Sequence, residues 1–431
     1  MKKYIYILLS MWCLSGCSNM LDIDSQMSLD ANQELKTEDV DKLLNGLYAA
    51  IVNSNNYSYC TNMYPEYLSD NLKLVNPQFF QIQDAYNHEI LEDDILNYYN
   101  YPDLYKGIYR ANTILGVPSA SESQKAIAKY CRAYNYIRLI DLYGAVPIID
   151  ENYDKQPIQR SSEKKVMEFI VSDLLDAKAH APEFNTNTPE ANTKPTKEAA
   201  QALLARVYRM QGRLDLAGQE AESLITSGKF SLSDNPAEKD KEVIMYFATL
   251  TSATSNAGWG YIMSWEARNW NCLAVADEVV ALLKGNDTRK ILYELDEAAD
   301  RKGYVFPSSA KYKNTENWDS EFYVSRLPEM YLISAEAGNS NRLTEFQAKR
   351  KSSLTLKEER RLELALEFVR WRDQKMEGET YLMPFPKESI AALNKLSQLI
   401  HLFELVGYLF TQHRCIITRE FSVNPDFFIV N

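Results

Sequence analysis

Trp259, Tyr261, Trp265 and Trp270 fall in the twelve-residue stretch "WGYIMSWEARNW", among Asn256, Glu266, Arg268, Asn269 and Asn271. Aromatic rings cover the C–H faces of sugars, and amide, carboxylate and guanidinium groups meet their hydroxyls, so this set suits non-covalent capture of a glycan. The same rings would suit a peptide. Gly258 and Gly260 leave the backbone free to shape itself to a chain of sugars. A second set, Tyr64, Tyr67, Asp70 and Asn71 in "CTNMYPEYLSDN", falls between helix-forming segments. Packing is the competing explanation for both sets, because Trp is well buried in most folds and such rings can simply plug a loop onto a core.

Covalent chemistry finds less support. A glycoside hydrolase needs two carboxylates about 5 to 10 Å apart across a cleft. The run Glu92-Asp93-Asp94 offers acids, but adjacent acids in a chain of net charge −12 read as solvated surface. No GxSxG is present, and His88 and His180 have no recognisable Ser or Cys companion. Gly144 and Gly212 sit where helices end, so they form no phosphate loop. With no CxxC pair and no cofactor or metal motif, the expectation is a binding protein and not an enzyme. A pI of about 5.1 argues against a nucleic-acid partner, which needs a basic footprint.

The N-terminus suggests where the binding takes place. Lys2 and Lys3 precede the apolar Tyr4 to Leu14, too short to span a bilayer, and Ser15-Gly16 supply the small residues of a cleavage site. The order Leu14-Ser15-Gly16-Cys17 resembles the lipobox of bacterial lipoproteins. Residues 1–16 are then a signal peptide, and Cys17 is lipidated and anchors the chain to a membrane. No later apolar run approaches the length of a membrane helix. Cys60, Cys131, Cys272 and Cys415 are too scattered for a disulfide framework, and Cys131 has helical spacing with apolar neighbours.

The elements that must position these residues are mostly helical. Apolar residues recur at three and four from Val40 to Ile51, from Leu104 to Leu115, and from Ile127 to Ile137 in a helix ending at Tyr143-Gly144. Val166 to Ala177 predicts another, followed by the loop "PEFNTNTPEANTKPT". Ala199 to Met210 and Leu214 to Ile225 form a pair broken at Gly212 and closed at Gly228, with small residues at their contact, as in a tetratricopeptide unit. Between Lys229 and Lys313 the texture turns to short β-prone pieces, "VIMYF" and "YVF", with helical pattern only in "VADEVVALL". Helix returns over Leu327 to Ala337 and Leu356 to Asp373, where Glu358, Glu359, Arg360 and Arg361 read as a solvated face. Tyr105, Tyr109, Tyr134, Tyr136 and Tyr208 have core spacing, and Arg132, Arg138 and Arg206 are placed to pair with acids on neighbouring helices.

Six stretches in order, "YPDLYKGIYRANTIL", "CRAYNYIRLIDLYGAVPII", "RSSEKKVMEFIVSDLLDA", "TKEAAQALLARVYRMQG", "RLPEMYLISAEA" and "EERRLELALEFVRWRD", resemble the signature segments of the SusD/RagB family. The resemblance implies an all-α fold of tetratricopeptide-like helix pairs with a loop-rich, ligand-facing insertion containing a few short strands. It also implies a surface lipoprotein of the outer membrane that binds glycan, or in some members peptide, and caps a SusC-like TonB-dependent β-barrel transporter. A tetratricopeptide scaffold for another protein is the alternative. The expected division is a signal peptide at 1–16, a family domain at 17–398 with its insertion near 229–325, and an atypical tail at 399–431. The stretch from Gly338 to Thr355 is short for the family and suggests a trimmed helix. The tail, apolar and carrying two of the four His, departs from the family pattern in a way that suggests a frame change.

Overall fold

The computed structural model describes residues 36–52, 63–75, 80–154, 158–188, 191–248, 273–297, 302–308, 310–312 and 321–387, all within one body spanning Lys36–Leu402. Cys17, the expected lipidation residue, and the tail at 399–431 lie outside these residues.

Helices α1 (Thr37–Val52), α2 (Tyr64–Tyr67), α3 (Phe80–Tyr86), α4 (Ile95–Leu115), α5 (Glu122–Tyr143), α6 (Glu163–His180), α7 (Lys197–Met210) and α8 (Leu214–Thr226) come first. Their starts are chemically marked. Asp94, Ser121, Ser162 and Thr196 each accept a first-turn backbone N–H with their side chains, and Ser121 and Gln124 close a reciprocal capping box. In chain order, α4 packs on α5, α5 on α6, α6 on α7 and α7 on α8, and α1 lies against α4 and α5. Each hairpin thus buries an apolar stripe that it could not bury alone, the logic of a helical repeat.

Helix α5 is the centre of this layer, with every residue from Tyr130 to Tyr143 buried. Its polar residues are matched inside. Arg132 donates from Nε and Nη2 to the two carboxylate oxygens of Asp173 on α6, both at 2.8 Å. Arg206 on α7 makes the same kind of pair with Glu329 at 2.9 and 2.6 Å. Cys131 is fully buried as expected, and burial raises its thiol pKa. Tyr109 departs from its core assignment, since its ring is 40% exposed on the outer side of α4.

Short strands follow. β1 (Leu72–Leu74) pairs antiparallel with β3 (Leu273–Val275), β2 (Val243–Ala248) with β6 (Glu321–Arg326), and β4 (Tyr293–Leu295) with β5 (Val305–Pro307). The four-residue helix α9 (Asp277–Val280) lies in "VADEVVALL". The chain then returns to helix in α10 (Leu327–Glu336), α11 (Ser340–Arg350), α12 (Leu356–Glu363) and α13 (Arg370–Met376). α10 rests on α8, where Gly218 allows a close approach: a methyl group there would lie 2.6 Å from Ala337 Cβ. The short stretch from Gly338 to Thr355 still holds the eleven-residue α11. Thirteen helices against six short strands make the described residues mainly helical, as the all-α expectation requires.

Two expectations for 356–373 are corrected. The segment is two helices, not one, because Leu366 and Phe368 adopt φ of 66° and 64°. Partners from far away hold that conformation: the Tyr312 hydroxyl donates to the Leu366 carbonyl, and Glu66 accepts the Phe368 N–H at 2.7 Å. Nor do the charges all face solvent. Glu359 is 0% and Arg360 6% exposed, both within ion pairs.

Candidate functional site

Trp259, Tyr261, Trp265, Glu266, Arg268, Asn269 and Trp270 lie outside the described residues. What is described is the mounting at either end of that stretch. The chain enters it from β2, whose last residue, Ala248, pairs with Glu321 of β6. It leaves into β3, whose first residue, Leu273, pairs with Leu74 of β1. Irregularities between Val243 and Tyr246 shift the β2/β6 register, as bulges do, and add twist to the pair.

A buried charge cluster fixes the base of that mounting. Glu242, just before β2, accepts from Arg350 Nη2 at 2.8 Å and from Arg326 Nη1 at 3.0 Å. Arg350 also donates to Glu363 at 3.0 Å, and Arg326 to Glu363 at 3.1 Å and Glu367 at 2.8 Å. Arg289 reaches Asp287 and Glu359, each at 2.7 Å, and Lys311 reaches Glu367. All of these side chains are buried. Burial alone would raise Glu363 and Glu367. The arginines outweigh it, with Lys311 adding at Glu367, and hold both below the ordinary carboxylate range. Such clusters add little net stability over an apolar core, but leaving one charge unmatched costs several kcal/mol, so they select a single geometry.

The second set is placed differently from the expectation. Tyr64 is 0% and Tyr67 1% exposed, their rings packed edge to face with centroids 6.3 Å apart, and the Tyr64 hydroxyl donates to Asp94 at 3.1 Å. Asn71 is also fully buried and donates to Glu66 at 3.2 Å. These side chains hold the 63–75 segment in the core and present no ring face to a ligand. Asp70 is spent on a two-pronged pair with Arg370 at 2.6 and 2.8 Å, which holds its carboxyl low against the opposing effect of burial. Arg361 donates to its carbonyl at 2.7 Å. Burial pushes Glu66 up to about 7, although the Phe368 N–H and Asn71 bond to it.

The residues weighed for catalysis have structural work. Asp94 caps α4 through the Asn97 N–H at 2.8 Å besides accepting Tyr64. His88 has φ of 59°, lies 2.8 Å from the Leu68 carbonyl through Nε2, and stacks on Tyr381 at 4.7 Å. His180 ends α6, with Nδ1 3.1 Å from the Asp176 carbonyl. Among the described residues, no group of three or more His, Cys, Asp or Glu could hold a metal ion, and no helix is long and apolar enough to cross a membrane.

A family model described as "Starch-binding associating with outer membrane" matches residues 19–209. The chain is 24% identical over 464 aligned positions to SusD-like protein P2 of Formosa agariphila, covering 87% of this chain and 90% of that protein. It is 26% identical to SusD-like protein P38 of the same organism over 54% of this chain, but spans only 48% of that relative's length. Among solved structures, a laminarin-binding SusD-like protein superposes with a TM-score of 0.67 at 20% identity, over 83% of this chain and 98% of its own. A SusD superfamily protein from Bacteroides thetaiotaomicron does so with 0.67 at 21% identity, over 83% and 94%. The matched family model, the SusD-like relatives and the helical fold shared with SusD-like structures together support a protein of SusD/RagB type.

Proposed function

We propose that the chain is a non-catalytic lipoprotein, anchored through Cys17, that captures glycan at the cell exterior and delivers it to a SusC-like TonB-dependent transporter of the outer membrane. The observation that carries this reading is the matched family model, whose description joins starch binding to the outer membrane. A laminarin-binding protein of the same fold agrees with it. Starch and laminarin are both glucose polymers, whose C–H faces suit the rings of Trp259, Tyr261, Trp265 and Trp270. The strands that flank their segment are each held in an antiparallel pair, β2 with β6 and β3 with β1, which fixes where it is attached. The helical layer offers the barrel a broad surface without moving parts.

Titration calorimetry of the chain from residue 18 onward against starch and laminarin oligosaccharides, with a peptide digest alongside, tests the ligand class. Saturable heat with a glucan supports the proposal. Heat with peptides and none with glycans overturns it in favour of a peptide-binding member. Gentle detergent extraction tests the partner: co-purification with a large β-barrel is expected, and recovery of the protein alone at every salt concentration counts against it.

A further inference from the structure

Where α5, α7, β6 and the α12–α13 connection meet, they leave a cavity of about 40 Å³. That is room for one to a few water-sized particles at roughly 10–15 Å³ each, and far too little for a sugar ring. Five arginines line it: Arg138, Arg206, Arg209, Arg360 and Arg372. The acids around it are already shared. Asp373 accepts from Arg209 Nη1 at 2.6 Å and from Arg360 Nε at 2.8 Å. Glu329 serves Arg206 and, at 3.4 Å, Arg360 Nη2. Asp141 accepts from Arg372 Nε, and Glu163 from Arg372 Nη1 at 2.7 Å.

Two guanidinium donors are left over. Arg360 Nη1 and Arg372 Nη2 are buried and have no acceptor, on side chains of residues only 6% and 8% exposed. An unmet buried donor is costly, more so on a charged group. What fits is a particle that brings lone pairs and no protons of its own. We infer that this cavity binds a small monovalent anion of halide size, held by Arg360 and Arg372 from opposite ends of the α12–α13 connection. The anion would tie the C-terminal helices to α5 and α7, independently of any glycan.

Bromide is the probe. Crystals grown without halide and soaked in sodium bromide should show an anomalous peak within hydrogen-bond distance of Arg360 Nη1 and Arg372 Nη2; a water in that place with no bromide would overturn the inference. In solution, at constant ionic strength, replacing gluconate by bromide should raise the thermal midpoint in proportion to the logarithm of bromide concentration, as mass action requires of a ligand that binds the folded state. Val324→Phe narrows the cavity while leaving both arginines in the chain, and should abolish that dependence. An equal bromide response in wild type and Val324→Phe would place the effect elsewhere and refute the site.

Discussion

Replacing Glu66 by Gln should stabilise the protein at neutral pH, and the gain should grow with pH. Glu66 is fully buried, and its carboxylate meets the Phe368 N–H at 2.7 Å, Asn71 Nδ2 at 3.2 Å and Ser69 Oγ at 3.4 Å. Lys311 favours its charge and Glu367 opposes it, and burial dominates, so the folded carboxyl titrates near 7 against an ordinary 4.5. Its folded pKa is raised, so the folded state binds more protons than the unfolded chain between those values, and stability falls as pH rises through that window. At about 1.4 kcal/mol per pH unit, the ionisable side chain costs about 1 kcal/mol at pH 5 and about 3 kcal/mol at pH 7 and above. Gln keeps an acceptor for Phe368 and carries no charge. Urea unfolding followed by tryptophan fluorescence at pH 5, 6, 7 and 8 should therefore show the variant gaining on wild type by about 2 kcal/mol between pH 5 and 7, then levelling. A wild-type-to-variant difference that stays constant from pH 5 to pH 8 would refute a buried, raised carboxyl at Glu66.

Other outcomes follow from the packing and the charges. Arg350→Met leaves Glu242 and Glu363 short of a partner in the interior and should cost about 3–5 kcal/mol; an unchanged thermal midpoint would contradict the buried cluster. Gly218→Ala puts a methyl 2.6 Å from Ala337 Cβ, so α8 and α10 must separate at a cost of about 1–3 kcal/mol, read as a lower urea midpoint. Cys17→Ser should move the protein from the membrane to the soluble fraction, since acyl chains contribute about 0.8 kcal/mol per buried CH₂; retention in washed membranes would count against the anchor.

Helices α4 to α8 were legible in the sequence because local signals agree there: apolar spacing of three and four, and stops at Gly144, Gly212 and Gly228, each with φ near 70°. The β-prone pieces "VIMYF" and "YVF" became β2 and β5, while β1 and β3, three residues each, carry too little pattern to stand out. The charge cluster was misread for a physical reason. Alternating Glu and Arg look the same on a solvated helix as in an interior whose counter-charges arrive from Glu242, Arg289 and Arg326, far away in sequence. The break at Leu366 and Phe368 was hidden likewise, having no Gly or Pro and depending on Tyr312 and Glu66. At the second candidate set, Tyr64 and Tyr67 show that aromatic and polar residues between helices can be core, and only burial tells the two cases apart.

The central claim is that the tryptophan-rich segment between β2 and β3 captures glycan. Calorimetry of wild type, Trp259→Ala and Trp265→Ala against the best-binding glucan oligosaccharide tests it most directly, with circular dichroism to confirm that each variant keeps its helices. Each lost ring should weaken binding by about tenfold or more, equivalent to about 1.4 kcal/mol. Unchanged affinity in both folded variants would contradict it.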